Sequence, residues 1–315
     1  MSEYSEVAKK PARKQHTGPS NEARAFLDTY KAPIRDESAE ALPGIRASSL
    51  AAAKSAATRV KRRLKLKTRE IEIAGVPCLD ITPPTIRDER TLLYLFGGGY
   101  VVGSPLEDLV ISGTLAVYAE ARVISPDYRL APEHPYPAAV DDSFAVYKDL
   151  IESVPAGGLA LAGESAGGGA ALAIMQRARS QGIFLPSVCA LLSPWCAIDE
   201  MGATVDLMLD PTFTEGHLET IANHYAGTHD RSLPELSPVN GTYDETFPPT
   251  IITTGTHDKF LSQVSRLARV MRENGIGVDL RVWEDMWHVF EWYDDLPEAD
   301  ASLIEIAAFL DDHFI

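Results

Sequence analysis

The residues with the plainest chemical signature are Gly163-Glu164-Ser165-Ala166-Gly167, a G-x-S-x-G pentapeptide that follows the apolar run at 158–162 and precedes an Ala- and Gly-rich helical stretch. A serine set between a strand and a helix sits in a sharp turn, which requires neighbours without side chains. The helix N-terminus behind it offers N–H groups and a positive dipole end to a developing oxyanion. Such pentapeptides also arise by chance at helix starts, so the strand before and the helix after are what mark Ser165 as a nucleophile. Upstream, the apolar run TLLYLF ends in Phe96-Gly97-Gly98-Gly99-Tyr100. Three glycines there allow backbone N–H groups to turn toward a ligand and approach it closely, as an oxyanion loop must.

A serine nucleophile needs a base, and the base needs an acid to orient it. Two positions on loops after later apolar runs could supply them. Asp258 follows the apolar run PTIITT, and His288 follows VDLRVW. Their separation of 30 residues fits one helix and one strand. His257 directly precedes the acid and would point away from it, and Asp285 stands too close in sequence to His288 to reach it easily. The expected trio is therefore Ser165, Asp258 and His288, with His288 as general base. Glu133 and His134 lie in a Pro-rich segment and are expected to brace the wall of the site. Tyr100 and Trp195 are candidate substrate-binding aromatics, while Met201, Leu207, Met208 and Phe213 could give an apolar underside to a cap.

The elements that must position these groups alternate. Short apolar runs at 69–73, 76–82, 91–96, 122–126, 158–162, 187–192, 249–254 and 278–283 are expected strands. Helical spacing appears at 107–120, 137–153, 165–181, 260–274 and 297–313. Alternation of this kind predicts an α/β protein whose mostly parallel sheet is flanked by helices. Residues 20–65 and about 197–240 break the pattern. Both are polar and helix-prone, and both fall where a cap over the sheet would be inserted. The expected organisation is N-terminal cap helices in 1–65 and a catalytic domain in 66–315 with a cap insert at about 197–240.

Composition excludes several classes. The net charge of −16 is uneven, with 16 Lys/Arg against 8 Asp/Glu in residues 1–70 and 13 against 37 in the remainder. A body that acidic repels nucleic acid, and the basic cluster at 61–67 runs into an alternating segment suited to a half-exposed edge strand. No apolar run reaches the ~18 residues needed to span a bilayer, so no stable membrane association is expected. The N-terminus lacks the apolar core of a secretory signal, which points to a cytoplasmic address. Cys78, Cys189 and Cys196 are odd in number and lack metal or redox spacing, so they read as small buried hydrophobes.

In its motifs the chain resembles the hormone-sensitive-lipase-like branch of the α/β hydrolases, in particular the bacterial acetyl-esterase and monoterpene ε-lactone hydrolase group. The resemblance covers about residues 69–315. It rests on the glycine loop at 97–99, DYRLAPEHPYPAA at 127–139, the pentapeptide at 163–167, LSPW at 192–195 and MWHVF at 286–290. It implies the α/β-hydrolase fold with an eight-stranded sheet and a helical cap, no cofactor and no metal, and hydrolysis of small ester or lactone molecules through an acyl-enzyme. It also implies that Gly98, Gly99 and Ala166 donate the oxyanion N–H groups. A homodimer is compatible with it. One departure stands out: the family usually begins the glycine loop with His, where this chain has Phe96. Two rival readings are a non-catalytic ligand-binding protein on the same fold and an amidase. Retention of all three triad residues opposes the first, and the lack of a visible second acid near His288 opposes the second.

Overall fold

A computed structural model describes residues 18–87 and 90–314, so the segment 1–17 of the expected N-terminal unit lies outside the described residues. Two helices come first, α1 (Asn21–Thr29) and α2 (Leu42–Leu64). There follow β1 (Lys67–Ile73), β2 (Val76–Thr82), β3 (Thr91–Leu95), α3 (Leu109–Tyr118), β4 (Arg122–Pro126), α4 (Ala138–Ser153), β5 (Leu159–Glu164), α5 (Ala166–Ser180) and β6 (Val188–Leu192). The insert carries α6 (Thr204–Leu207) and α7 (His217–Ala226), and β7 (Thr250–Gly255), α8 (Leu261–Glu273), β8 (Val278–Trp283) and α9 (Pro297–His313) complete the chain. All eight expected strands form one sheet in the order β1-β2-β4-β3-β5-β6-β7-β8. β2 runs antiparallel to both of its neighbours, and every later pairing is parallel.

The sequence explains this layering. Every residue of β3, β5, β6 and β7 is buried, as continuous apolar strands must be when helices cover both faces of a parallel sheet. α3 packs on α9 and α4 packs on α5, while α8 covers β7 and β8. β1 is the sheet edge, and its Lys67, Arg69 and Glu70 side chains reach solvent, the pattern expected of a charged edge strand. Cys78, Cys189 and Cys196 are free and buried. Because the parallel strands share one direction, the loops after β3, β5, β6, β7 and β8 meet at one edge of the sheet, the usual place for ligands in such folds. Among the described residues no helix is long and apolar enough to cross a membrane.

The antiparallel strand β2 is pinned by charge. The Asp80 carboxylate is nearly buried and accepts from Arg122 Nε at 2.9 Å and Arg69 Nη2 at 2.9 Å, tying β2 to both neighbours. Burial would raise this carboxyl, but the two guanidinium groups outweigh it and hold Asp80 below the ordinary range. A carboxyl depressed in the folded state stabilises it above the unfolded pKa and loses that effect as pH falls through the folded value. Asp80→Asn is therefore expected to cost about 1–2 kcal/mol in urea denaturation at pH 7, less than a fully buried pair because both Arg side chains reach solvent. The deficit should shrink below about pH 4. A deficit unchanged at pH 3 would show that packing, not charge, accounts for the loss.

Candidate active site

Ser165 occupies the single turn between β5 and α5 with φ 51° and ψ −119°, a left-handed conformation that a side chain adopts only under constraint. The constraint comes from the next strand. Ser165 N–H donates to the Leu192 carbonyl at 2.9 Å, and Trp195 N–H donates to the Ser165 carbonyl at 2.8 Å. The flanking glycines are required by close approach: a Cβ on Gly163 would run into the Gly167 carbonyl, and one on Gly167 into the Leu95 carbonyl.

The structure brings the three expected side chains into one hydrogen-bonded chain. His288 Nε2 lies 2.9 Å from Ser165 Oγ, and His288 Nδ1 lies 3.1 Å from Asp258 Oδ1. Asp258 is fully buried; its other oxygen accepts from Thr254 Oγ1 at 2.8 Å, and Oδ1 also accepts from Phe260 N–H at 2.9 Å. Burial pushes this carboxyl up, but the facing imidazole, the Phe260 N–H and the Ser193 hydroxyl more than reverse it, so Asp258 stays below the ordinary carboxylate range. The imidazole is held between the Phe213 and Phe260 rings, 4.8 and 4.6 Å away centre to centre. His257 and Asp285 pair with each other, 3.4 Å apart and partly exposed, outside this chain of contacts.

The glycine loop lies beside the serine. Gly98 and Gly99, at φ 100° and 64°, line the same cavity as Ser165. Ala166 is the first residue of α5, where a helix leaves its N–H groups without intrahelical partners. Phe96 does not line the cavity. It is fully buried with its ring stacked on Tyr128 at 4.1 Å, and the Tyr128 hydroxyl donates to the Phe96 carbonyl at 2.6 Å. On its far side the Gly97 N–H donates to Glu164, the residue before the nucleophile. Burial first, and then the nearby Asp108 carboxylate, push the Glu164 carboxyl well above its ordinary range. Asp108 is fixed in turn by Tyr94 Oη at 2.9 Å and Trp292 Nε1 at 3.2 Å. The loop is thus braced from both sides without the histidine that the family uses.

The cavity over Ser165 has a volume of about 220 Å³ and is walled by apolar side chains, among them Val102, Trp195, Leu218, Ile221 and Phe260. A larger cavity of about 370 Å³ between α1, α2 and the body contains none of the three reacting residues. Trp195 lines the cavity over Ser165, whereas Tyr100 does not. Its ring is stacked on Tyr225 at 3.6 Å and only 2% of the residue is exposed, so it supports the loop from the core. Of the four insert residues expected to face the site, Phe213 alone lines the cavity, and Leu207 is 69% exposed. The insert still reaches the chemistry, because Ile221 of α7 packs directly on Gly99.

Several groups near the site escaped the sequence reading. Arg46 of α2 donates to the Val101 carbonyl at 2.7 Å and grips Glu133 with both terminal nitrogens, which makes Glu133 a brace. Phe26 of α1 stacks on Trp287, next to the base, at 3.9 Å. Glu37 pairs with His217 of α7, a cavity residue. A second carboxylate does stand near His288: Asp210 accepts from its backbone N–H at 3.0 Å. Only Glu164 carried a signal in the sequence, as an ionisable residue ending an apolar strand. Among the described residues no three His, Cys, Asp or Glu side chains are grouped so as to hold a metal ion.

Comparison with known proteins agrees with this geometry. Residues 92–292 match the family described as the alpha/beta hydrolase fold. An acetyl-hydrolase of Streptomyces hygroscopicus is 35% identical over 235 residues, 72% of this chain and 77% of that protein. The putative acetyl-hydrolase LipR of Mycobacterium tuberculosis is 32% identical over 249 residues, 78% and 80% of the two chains. Among solved structures, an esterase from the bacterial hormone-sensitive lipase family superposes with TM-score 0.77 at 33% identity, covering 79% of this chain and 85% of its own. A hormone-sensitive lipase from a metagenome library does so with TM-score 0.84 at 30% identity, covering 95% and 100%. With a matching fold, a matching motif order and relatives of this similarity, the chain belongs to the α/β-hydrolase family, in its hormone-sensitive-lipase-like branch of esterases.

Proposed function

We propose that the protein is a serine hydrolase of small carboxylic esters, with Ser165 as nucleophile, His288 as general base and acid, and Asp258 as the group that orients and charges-balances the imidazole. The observation that carries this reading is the unbroken sequence of contacts from Asp258 through His288 to Ser165 Oγ, at 3.1 and 2.9 Å, opening into a walled cavity. In the first half-reaction Ser165 Oγ attacks the acyl carbon while His288 Nε2 takes the hydroxyl proton. The carbonyl oxygen becomes an oxyanion that accepts hydrogen bonds from the Gly98, Gly99 and Ala166 N–H groups. Collapse breaks the ester bond, and His288 returns its proton to the departing alcohol. Water then attacks the acyl-enzyme with His288 again as base, releasing the acid and restoring Ser165. A lactone follows the same course, except that its alcohol stays tethered to the acid.

The N-terminal helices and the insert at about 197–240 act as a cap in this reading, since Phe213, Leu218 and Ile221 come from the insert and α1 abuts the base loop. The cavity of about 220 Å³ lies below the ~300–1,000 Å³ usual for larger ligands, which favours short acyl groups such as acetyl. The names of the acetyl-hydrolase relatives point the same way.

Three outcomes are expected. With p-nitrophenyl acetate, Ser165→Ala should retain less than about a thousandth of wild-type activity, because what survives loss of a triad member comes from binding and the oxyanion donors alone; more than that would mean another nucleophile. Along a p-nitrophenyl ester series, kcat/KM should fall about tenfold or more from butyrate to decanoate, and a rise would contradict the cavity size. Phe96→His should leave kcat on the acetyl ester unchanged or lower, since the ring stack on Tyr128 already holds the loop. An increase in kcat would instead show a loop loosely placed before substrate arrives.

A further inference from the structure

We infer that Asp210, carried by the insert, is a positioning residue for the base: it locks the backbone of His288 and couples the insert to the triad. The inference rests on the triad reading above and adds a residue to it. Asp210 Oδ2 accepts from His288 N–H at 3.0 Å and from Lys259 N–H at 3.4 Å. Lys259 directly follows Asp258, so one carboxylate oxygen bridges the loop carrying the base and the loop carrying the acid. These loops follow β8 and β7 and are tied just before the triad residues by His257 N–H to the Met286 carbonyl at 2.9 Å and by Asp285 N–H to Thr256 Oγ1 at 2.8 Å; Asp210 adds a bridge at His288 itself, from the insert. The other oxygen, Oδ1, accepts from Thr212 N–H at 2.9 Å and Thr212 Oγ1 at 2.6 Å, which fixes the carboxylate within the insert.

Three of the four partners are backbone N–H groups, which can only donate, and the Thr212 hydroxyl can turn to donate as well, so an ionised carboxylate meets four donors. The arrangement therefore selects the ionised form, although burial and the Asp258 charge push the Asp210 carboxyl upward. Three titratable groups face it: Asp258 and His288 from the two loops, and the Tyr293 phenol. The Lys259 ammonium does not reach Asp210, since it donates to the Val205 carbonyl. Asp210 is 5% exposed and does not line the cavity, whereas its neighbours Thr212 and Phe213 do. It has no surface to offer a substrate, so its effect on turnover must pass through His288. Two effects follow. Docking of the insert adds a further hold on the His288 backbone, and a fixed negative charge beside the Asp258–His288 couple favours the imidazolium formed in each half-reaction.

Asp210→Asn tests this with little change in shape. An amide has one oxygen, so whichever way it turns, its NH₂ faces an N–H donor, and one side of the bridge is lost. On p-nitrophenyl acetate kcat should fall about 10- to 100-fold, part of the 10²–10⁴ that a well-placed general base supplies, with KM within about twofold of wild type. The acid limb of the kcat/KM–pH profile should also move to lower pH, because loss of the anion disfavours the protonated base. Thr212→Val, which leaves Asp210 in place but removes one of its donors, should lower kcat by a few-fold in the same sense. A merely structural tie would lower melting temperature without moving the acid limb. If Asp210→Asn turns over within twofold of wild type with an unshifted acid limb, the inference is wrong. Ser165→Ala assayed alongside separates the two claims: if it is inactive while Asp210→Asn is normal, only the role of Asp210 falls, and if it stays active, the triad reading itself falls.

Discussion

Everything at this site depends on keeping one serine in a backbone conformation that it would leave if released. Ser165 at φ 51° stands at the joint of β5 and α5, and the hydrogen bonds that hold it there come from Leu192 and Trp195, at the end of the neighbouring strand. The parallel pairing of β5 with β6 is thus a condition for the nucleophile as much as for the core. The same requirement fixes the neighbours. Gly163 and Gly167 allow strand, turn and the β3 backbone to approach more closely than any side chain would permit, and this places the glycine loop against Ser165.

From that joint outward, positioning is shared among elements distant in sequence. The glycine loop is clamped by Tyr128 on one side and by the Glu164–Asp108 pair on the other. Arg46 of α2 reaches across to its exit at Val101, and Ile221 of α7 presses on Gly99. Phe96 belongs to this frame. It replaces a hydrogen-bonding histidine with a ring stack, and Tyr128 supplies the hydrogen bond by a different route. Buried polar pairs of this kind are costly unless fully satisfied, which favours one arrangement over many.

What the sequence made legible was what is local. All eight strands fell within a few residues of their observed bounds: β3, β5, β6 and β7 because wholly buried parallel strands leave an unbroken apolar record, and the edge strand β1 because its side chains alternate. Ser165, Asp258 and His288, which the structure brings into one chain of contacts, were singled out in the sequence because each lies at a strand end next to a turn signal. What escaped depends on contacts across long separations. Asp210 lies 78 residues from His288, and Arg46 lies 87 from Glu133; an isolated Asp or Arg in a polar segment carries no mark of such a partner. Tyr100 was misplaced for a related reason. A residue next to an oxyanion loop can face the ligand or the core, and only its stacking partner Tyr225, from the insert, decides which.

The central claim is that ester turnover passes through a covalent acyl group on Ser165. The most direct measurement is mass spectrometry of the intact, acid-quenched protein after rapid mixing with p-nitrophenyl acetate, followed by peptide mapping. The account predicts one acetyl group per chain, carried by the peptide containing Ser165, forming and decaying at rates consistent with turnover. An acetyl group on another residue that forms and decays at the turnover rate, or steady turnover with no trapped adduct and no burst of p-nitrophenol under conditions where deacylation limits the rate, would contradict it.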